Sequence, residues 1–387
     1  MKVLQVIPRF NPSLGGGVDV VYNISKQLAL RGHDVTVATT DYLFDADYAR
    51  TIEDLGVEVI PFRHLFNYCL YIPSPDLRAW CKAHISDFDI VHLNGTRSYQ
   101  NSVVMNHAVK GGIPTVLQAH GSIMRIVERK GIKWLYDQVW GDKLLTNASA
   151  FIALSHSEAE AHQRMGVAKE KIHVLPNGVD LEKFKDLPKK GEFREKYSIK
   201  ADEKVVLYLG RLHKSKGVDL LVEAFKILES RLNNVTLVVV GPDGGIKGAL
   251  QERVEKYGIN DKVIFTGLVP GQEKYAAFID SDVFVTPKFY GFPITFAESC
   301  ACGLPIVTTN EGDCLEWIDN SVGYISGYTP TQMSDAILKV LVNDENRGRL
   351  GRNAREMVLE TLNWKRIAEQ VETTVYSPSI EGFKPLN

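Results

Sequence analysis

Several features are missing from this chain of 387 residues, and each absence closes a class of function. No stretch approaches the ~20 apolar residues of a membrane span. The N-terminal run ending at Pro8 is too short for a secretory leader and reads as a first strand. Cysteine is scarce. Cys69, Cys81, Cys300, Cys302 and Cys314 have neither metal-ligand spacing nor the density of a disulfide framework, so they read as reduced core or helix residues. Charge of one sign is lacking too: 45 Lys+Arg against 47 Asp+Glu leave a net charge of -2, and no global field argues for nucleic acid. The remainder, 44% hydrophobic and 24% charged, is the balance of a soluble globular protein. The expectation is a cytoplasmic enzyme, touching the inner membrane surface peripherally if at all.

Familiar cofactor and hydrolase signatures are absent as well. Gly15-Gly16-Gly17-Val18-Asp19-Val20 invites a dinucleotide reading, but Val20 holds the third glycine position and Pro8 to Leu14 separate the glycines from the strand. Gly210-Arg211-Leu212-His213-Lys214-Ser215-Lys216-Gly217 is not a Walker A loop. No paired carboxylates of glycosidase type stand out.

What is present is alternation. Short β-branched runs (Val3–Ile7, Val35–Ala38, Val57–Ile60, Ile90–Leu93, Thr115–Gln118, Ala150–Leu154) are separated by helical spans such as Val18–Leu30. That pattern predicts a parallel sheet covered by helices on both faces. After Asn177-Gly178 comes a charged, strand-poor segment, and then the alternation restarts with Val205–Leu209, Val235–Val240, Val263–Thr266, Val283–Thr286, Ile306–Thr308 and Tyr324–Ile325. The length also suits two cores. The division expected is an α/β domain over 1–182, a linker over 183–200 and a second α/β domain over 201–363. The last helix, Trp364–Val375, begins a 364–387 segment expected to pack back on the first domain.

The chemistry concentrates at two turns of the second half. Lys288 to Thr309 leaves a strand, turns through Gly291 and Pro293 and opens a helix carrying Glu298, which makes a natural phosphate cradle because unpaired amides and the positive dipole end face one point. Arg211 offers a planar fork for phosphate oxygens and Lys216 a point charge beside another helix start. Two fixed cations suit a diphosphate that gathers charge as it leaves.

These turns belong to an ordered series: Gly210-Arg211-Leu212, Lys216-Gly217, Val238-Val239-Val240-Gly241, Phe265-Thr266-Gly267, Asp282 to Pro287, Gly291-Phe292 and Glu298 to Pro305. Gly16-Gly17, Asp89-Ile90-Val91-His92, His120-Gly121, Ser155-His156-Ser157-Glu158 and Pro176 to Asp180 precede it. The whole resembles retaining glycosyltransferase family 4. That resemblance implies the GT-B fold, two Rossmann-like domains facing across a cleft, and a transferase that moves a sugar from a UDP-, GDP- or ADP-linked donor to a carbohydrate or lipid-linked acceptor. By the same resemblance Arg211 and Lys216 hold the diphosphate, Glu298 binds the ribose, and Phe292, Pro293 and Ile294 give backbone contacts. Gly16 and Gly17 approach the diphosphate from the first domain, His120 sits by the transferred sugar, and Val269 joins the donor-binding set.

One position departs from the family: where a Glu usually stands eight residues before Glu298, this chain has Tyr290. A phenol is neutral at working pH, so the donor sugar stays open. A sugar-nucleotide epimerase and a non-catalytic donor-binding protein of the same fold remain alternatives.

No metal or other cofactor is expected in the chemistry. Three Asp-x-Asp triplets occur, but Asp45-Ala46-Asp47 lies in a polar loop, and Asp87-Phe88-Asp89 and Asp280-Ser281-Asp282 precede strands, at the sheet edge opposite an active site. The stretch 122–147 interleaves Arg125, Arg129, Lys130 and Lys133 with Trp134, Tyr136 and Trp140. It reads either as a membrane-contacting amphipathic segment or as a helix with one solvated face.

Overall fold

The structure is a computed structural model that describes residues 1–68, 71–122, 142–269, 271–313, 315 and 317–383. It divides into two compact units, Met1–Asn177 with the C-terminal segment from Trp364, and Gly178–Asn363.

The first unit is built on a seven-stranded sheet of order β3-β2-β1-β4-β5-β6-β7. Its strands are β1 (Lys2–Val6), β2 (Asp34–Thr40), β3 (Val57–Phe62), β4 (Ile90–Asn94), β5 (Thr115–Gln118), β6 (Ala150–Ala153) and β7 (Ile172–Val174). Every pairing is parallel. The β-branched strands are buried on both faces, as a sheet flanked by helices requires. One face packs Val3, Val35, Val37 and Ile90 against the Gly16–Leu30 helix and against Trp364, Ile367 and Val371 of the C-terminal segment. On the other, Leu4, Val6, Leu93 and Leu117 meet Leu77 and Cys81 of the Pro75–His84 helix and Val104 and Met105 of the Tyr99–Gly111 helix. Chain order reverses between β1 and β4, which opens a crevice at their carboxyl ends.

The second unit repeats the plan with six parallel strands, β10-β9-β8-β11-β12-β13. These are β8 (Lys204–Leu209), β9 (Val235–Val240), β10 (Val263–Gly267), β11 (Val283–Thr286), β12 (Ile306–Thr309) and β13 (Gly323–Ser326). Here the reversal falls between β8 and β11, so the loops after those two strands flank the crevice.

Two local differences from the expected organisation have physical causes. The segment 183–200, charged enough to suggest a linker, is folded into the second unit. The Asp280 carboxylate accepts from the amides of Gly191 at 2.6 Å, Phe193 at 2.8 Å and Arg194 at 3.1 Å, which caps the Glu192–Lys196 helix while Phe193 buries its ring. A cap supplied from so far along the chain leaves no local sequence signal. At the C-terminus, the single helix expected over Trp364–Val375 is an α-helix over Trp364–Gln370 that passes into a π-helical stretch over Val371–Tyr376. Among the described residues no helix is long and apolar enough to cross a membrane. Most of the basic aromatic stretch 122–147, namely 123–141, lies outside the described residues.

Candidate functional site

In the first unit, β1 leads through a short turn at Pro12–Leu14 to Gly15, whose φ of 101° few other residues tolerate. Gly16 and Gly17 are the first residues of the helix, and no side chain caps them. Their amides are therefore among the unpaired donors of a helix start. The Gly17 α-carbon faces His120 closely enough that an added methyl would lie 3.7 Å from the ring.

His120 itself follows β5 in a left-handed conformation, φ 52°, and Gly121 continues the turn at φ 74°. A histidine held there is strained unless its surroundings hold it. Two anchors do so. Glu158, buried at the start of the His156–Arg164 helix, accepts from the amides of Gly121 at 2.6 Å and Leu154 at 2.7 Å, and His120 Nε2 lies 3.0 Å from Asn94 Oδ1. Burial pushes the His120 imidazole down to about 4 and His92, behind it, to about 3, so both rings are neutral at pH 7. His120, Gly17, Asn94, Arg9 and Ser122 line one cavity of about 300 Å³.

In the second unit, β8 ends at Leu209 and the chain passes Gly210 and Arg211 to a short turn at Lys214–Lys216. Gly217 follows at φ 66°, where a side chain would come within 2.8 Å of the Tyr328 hydroxyl and 3.1 Å of Pro287. The Val218–Glu229 helix that starts there has no side-chain cap. Arg211 is exposed and Lys216 half-buried, and among the described residues neither side chain has an ion-pair partner within 4 Å. Burial first, and the Arg211 charge second, hold the Lys216 ammonium below its ordinary range, while Asp313 opposes them. An ammonium held below its ordinary range beside a second cation is a ready receptor for an anion.

The turn after β11 carries the other half. Gly291, φ 71°, donates its amide to the Asp313 carboxylate. The Ile294–Ala301 helix begins after Pro293 without a side-chain cap. Phe292 is buried with its ring centre 6.1 Å from that of Trp317, and Val269 is buried after β10. Glu298, 6% exposed, accepts from Lys274 Nζ at 2.6 Å through one oxygen, while its other oxygen, Oε2, is buried without a partner among the described residues. A buried carboxylate oxygen left open is costly until a donor reaches it. Tyr290 is half-buried with Lys288 Nζ 5.8 Å from its ring centre, and Lys288 also donates to Glu311 at 2.8 Å.

The structure thus gathers Gly17 and His120 in one unit, and Arg211 with Lys216 in the other. Chain motifs did not point to Asn94, Gln5, Tyr376, Lys274 or Asp313. Gln5 alone carried a signal, a polar residue between the apolar Leu4 and Val6 of its strand and fully buried. The Asp-x-Asp carboxylates are engaged elsewhere. Asp282 accepts from the Val205 amide at 2.8 Å and pairs with Arg194, Asp89 accepts from the Lys2 amide at 2.7 Å, and Asp45 caps the Ala46–Glu53 helix.

Residues 14–183 match the family described as Glycosyltransferase Family 4, and residues 189–357 match Glycosyl transferases group 1. The chain belongs to glycosyltransferase family 4. This transferase is 25% identical to an uncharacterized glycosyltransferase of Methanocaldococcus jannaschii, over 98% of this chain and 99% of that one. It is 29% identical, over 96% and 97% of the two chains, to the GDP-mannose-dependent alpha-(1-6)-phosphatidylinositol monomannoside mannosyltransferase of Mycobacterium tuberculosis. Its backbone matches that of Anabaena HepE crystallised with UDP-glucose, with a TM-score of 0.77 at 19% identity, covering 97% of this chain and all of that one. The transferase therefore has two Rossmann-like α/β domains of the GT-B class.

Proposed function

We propose that this transferase moves a sugar from a nucleoside diphosphate donor to an acceptor hydroxyl with retention of anomeric configuration, in glycan or glycolipid synthesis. The observation that carries the reading is the pair Arg211 and Lys216, two cations without an ion-pair partner among the described residues, beside an uncapped helix start. The diphosphate lies on them, and the open Glu298 Oε2 accepts from a ribose hydroxyl. Phe292, Pro293 and Ile294 line the phosphate and sugar, with Val269 nearer the base. Tyr290, with Lys288 beside its ring, meets the sugar with a phenol in place of a carboxylate.

As the bond between the anomeric carbon and the phosphate oxygen breaks, negative charge grows on the diphosphate, and Arg211 and Lys216 stabilise it. The acceptor oxygen attacks from the same face, and its proton passes to an oxygen of the departing phosphate. His120, neutral and bonded through Nε2 to Asn94, is no general base here. It holds its turn against the transferred sugar, and Gly16 and Gly17 supply amides.

The charge needed at the leaving group comes from side chains, so we expect turnover without a metal and full activity in excess EDTA. The acceptor proposed is a carbohydrate or lipid-linked hydroxyl, by analogy with the phosphatidylinositol mannoside named for the mycobacterial relative. A cytoplasmic location, on or near a membrane surface, follows from that acceptor.

The test is a panel of UDP-glucose, GDP-mannose and ADP-glucose, first for a rise in melting temperature and then for products by NMR. Retained-configuration transfer is expected from at least one. An epimerised donor without acceptor, or binding without turnover, would replace the proposal with one of the alternatives.

A further inference from the structure

Beneath His120 the first unit holds a line of buried polar groups that sugar transfer as described leaves without a task. From His120 Nε2 it runs to Asn94 Oδ1 at 3.0 Å, from Asn94 Nδ2 to Gln5 Oε1 at 2.9 Å, and from Gln5 Nε2 to the Tyr376 hydroxyl at 3.1 Å. That hydroxyl lies 2.7 Å from His92 Nδ1. Gln5, His92 and Tyr376 are fully buried and Asn94 nearly so. Apolar side chains would fill the same space without the risk of unpaired groups, so a line of this length calls for a reason.

Its donors and acceptors can be ordered in one direction. His92 is neutral, and the Tyr376 hydroxyl, which accepts from Gln5, has its own proton left for His92 Nδ1. Gln5 must then turn its oxygen to Asn94. Asn94, its amide nitrogen engaged there, offers its oxygen to His120, and His120 must carry its proton on Nε2. The constraint that begins at Tyr376 ends in the tautomer and orientation of His120.

The backbone adds an independent observation. Tyr376 closes the π-helical stretch Val371–Tyr376, and six residues of π winding are unusual. That winding changes the phase at which Tyr376 projects relative to an α-helix continued from Gln370. The hydroxyl arrives inside the sheet's own polar line.

We propose that Tyr376, acting through Gln5 and Asn94, is a positioning residue that fixes the tautomer and the ring orientation of His120 beside Gly17. This rests on the reading that His120 serves the transferred sugar. Two measurements on the full chain test it separately. The first is ¹⁵N NMR of protein labelled at the histidine rings, which reports the tautomer without any substrate. Wild type should show His120 protonated at Nε2 alone, while Tyr376→Phe and Asn94→Leu should each show both tautomers. An unchanged His120 signal in Tyr376→Phe, with the protein folded by its melting curve, would overturn the proposal.

The second is initial rates with the nucleotide sugar selected by the donor panel. Tyr376→Phe should lower kcat about tenfold with the donor KM within about twofold, because ring placement matters in the transition state more than in donor binding. Equal kcat in wild type and Tyr376→Phe would overturn it. Should wild type turn over none of the three donors, that failure would belong to the proposed function, and the NMR arm alone would decide whether Tyr376 sets the tautomer.

Discussion

The two polar centres, one in each unit, occupy the same place in their sheets, the crevice where chain order reverses, yet they are filled in opposite ways. At His120 the groups are imidazoles, amides and one carboxylate tied mostly to one another: the imidazole Nε2 with Asn94 and the Gly121 amide with Glu158, and two histidines pushed far below neutral by burial, whose remaining ring nitrogens, His120 Nδ1 and His92 Nε2, are buried without a hydrogen-bond partner among the described residues. Around Arg211 and Glu298 the groups are charged and partly open: among the described residues two cations lack ion-pair partners and one buried carboxylate oxygen lacks a donor. The contrast assigns the work. A centre whose polar groups are uncharged at the ring and mostly tied to one another keeps a shape, whereas one with open charges is completed by a charged, hydroxylated ligand.

The strongest way to break this contrast is to remove the open charges. Lys216→Ala and Arg211→Ala should each lower kcat/KM by roughly 10²–10³, the loss seen when one preorganised donor to a developing anion is deleted. Melting temperature should hardly move, since among the described residues neither side chain has an ion-pair partner within 4 Å. Steady-state kinetics with calorimetric melting checks both, and near-normal rates would sink the leaving-group assignment.

Next in size is an effect confined to the neutral centre. His92 and His120 have folded-state pKa values of about 3 and about 4 against an ordinary 6.5, so between 6.5 and 4 the unfolded chain binds more protons than the folded one. Their contribution to stability is therefore complete above pH 6.5 and is lost as pH falls toward 4. Each of the two should account for on the order of 3 kcal/mol in that window. Unfolding curves at pH 7 and pH 4.5 for wild type and His92→Gln measure it. If the variant loses as much stability on acidification as wild type, His92 is not responsible.

Smaller again is the open oxygen. Glu298→Gln keeps an acceptor and most of the shape but removes the charge that Lys274 and a ribose hydroxyl would share. Calorimetric affinity for the nucleotide that the donor panel selects should fall roughly tenfold, in line with ~1.5 kcal/mol for a hydrogen bond to a charged group. An unchanged affinity would place the ribose elsewhere.

The frame of both units was legible because it is written in local patterns. Strands such as Thr115–Gln118, Val235–Val240 and Val283–Thr286 begin and end where their β-branched runs do. Glycine turns marked Gly16-Gly17, Gly217 and Gly291, and the ordered motifs singled out Arg211, Lys216 and Glu298. The partners of these residues stayed hidden. Asp280 caps a helix that starts almost ninety residues earlier, Lys274 reaches Glu298 from a different helix, and Tyr376 reaches Gln5 from the other end of the chain. Such pairings depend on how the elements pack, which neither spacing nor propensity encodes. Asp313 is the case with the most direct bearing on the chemistry.

Asp313 places a carboxylate inside the centre that is otherwise open to anions. It accepts from the Gly291 amide, at the turn where a phosphate would be expected to sit, and it is the carboxylate that raises the Lys216 pKa against burial and Arg211. In the absence of donor it supplies an anion to the amide and the cation that a diphosphate would use. Donor binding must then either displace this carboxylate from the amide or work against its charge. Asp313→Asn retains an oxygen that can accept from Gly291, so the turn keeps its anchor while the negative charge is gone. Calorimetric Kd for the nucleoside diphosphate should improve several-fold, by about 1 kcal/mol or less for a partly solvated charge. A weaker Kd in Asp313→Asn would mean that the charge is needed to hold the turn in its binding shape, and the two centres would then be more alike than their open and closed valences suggest.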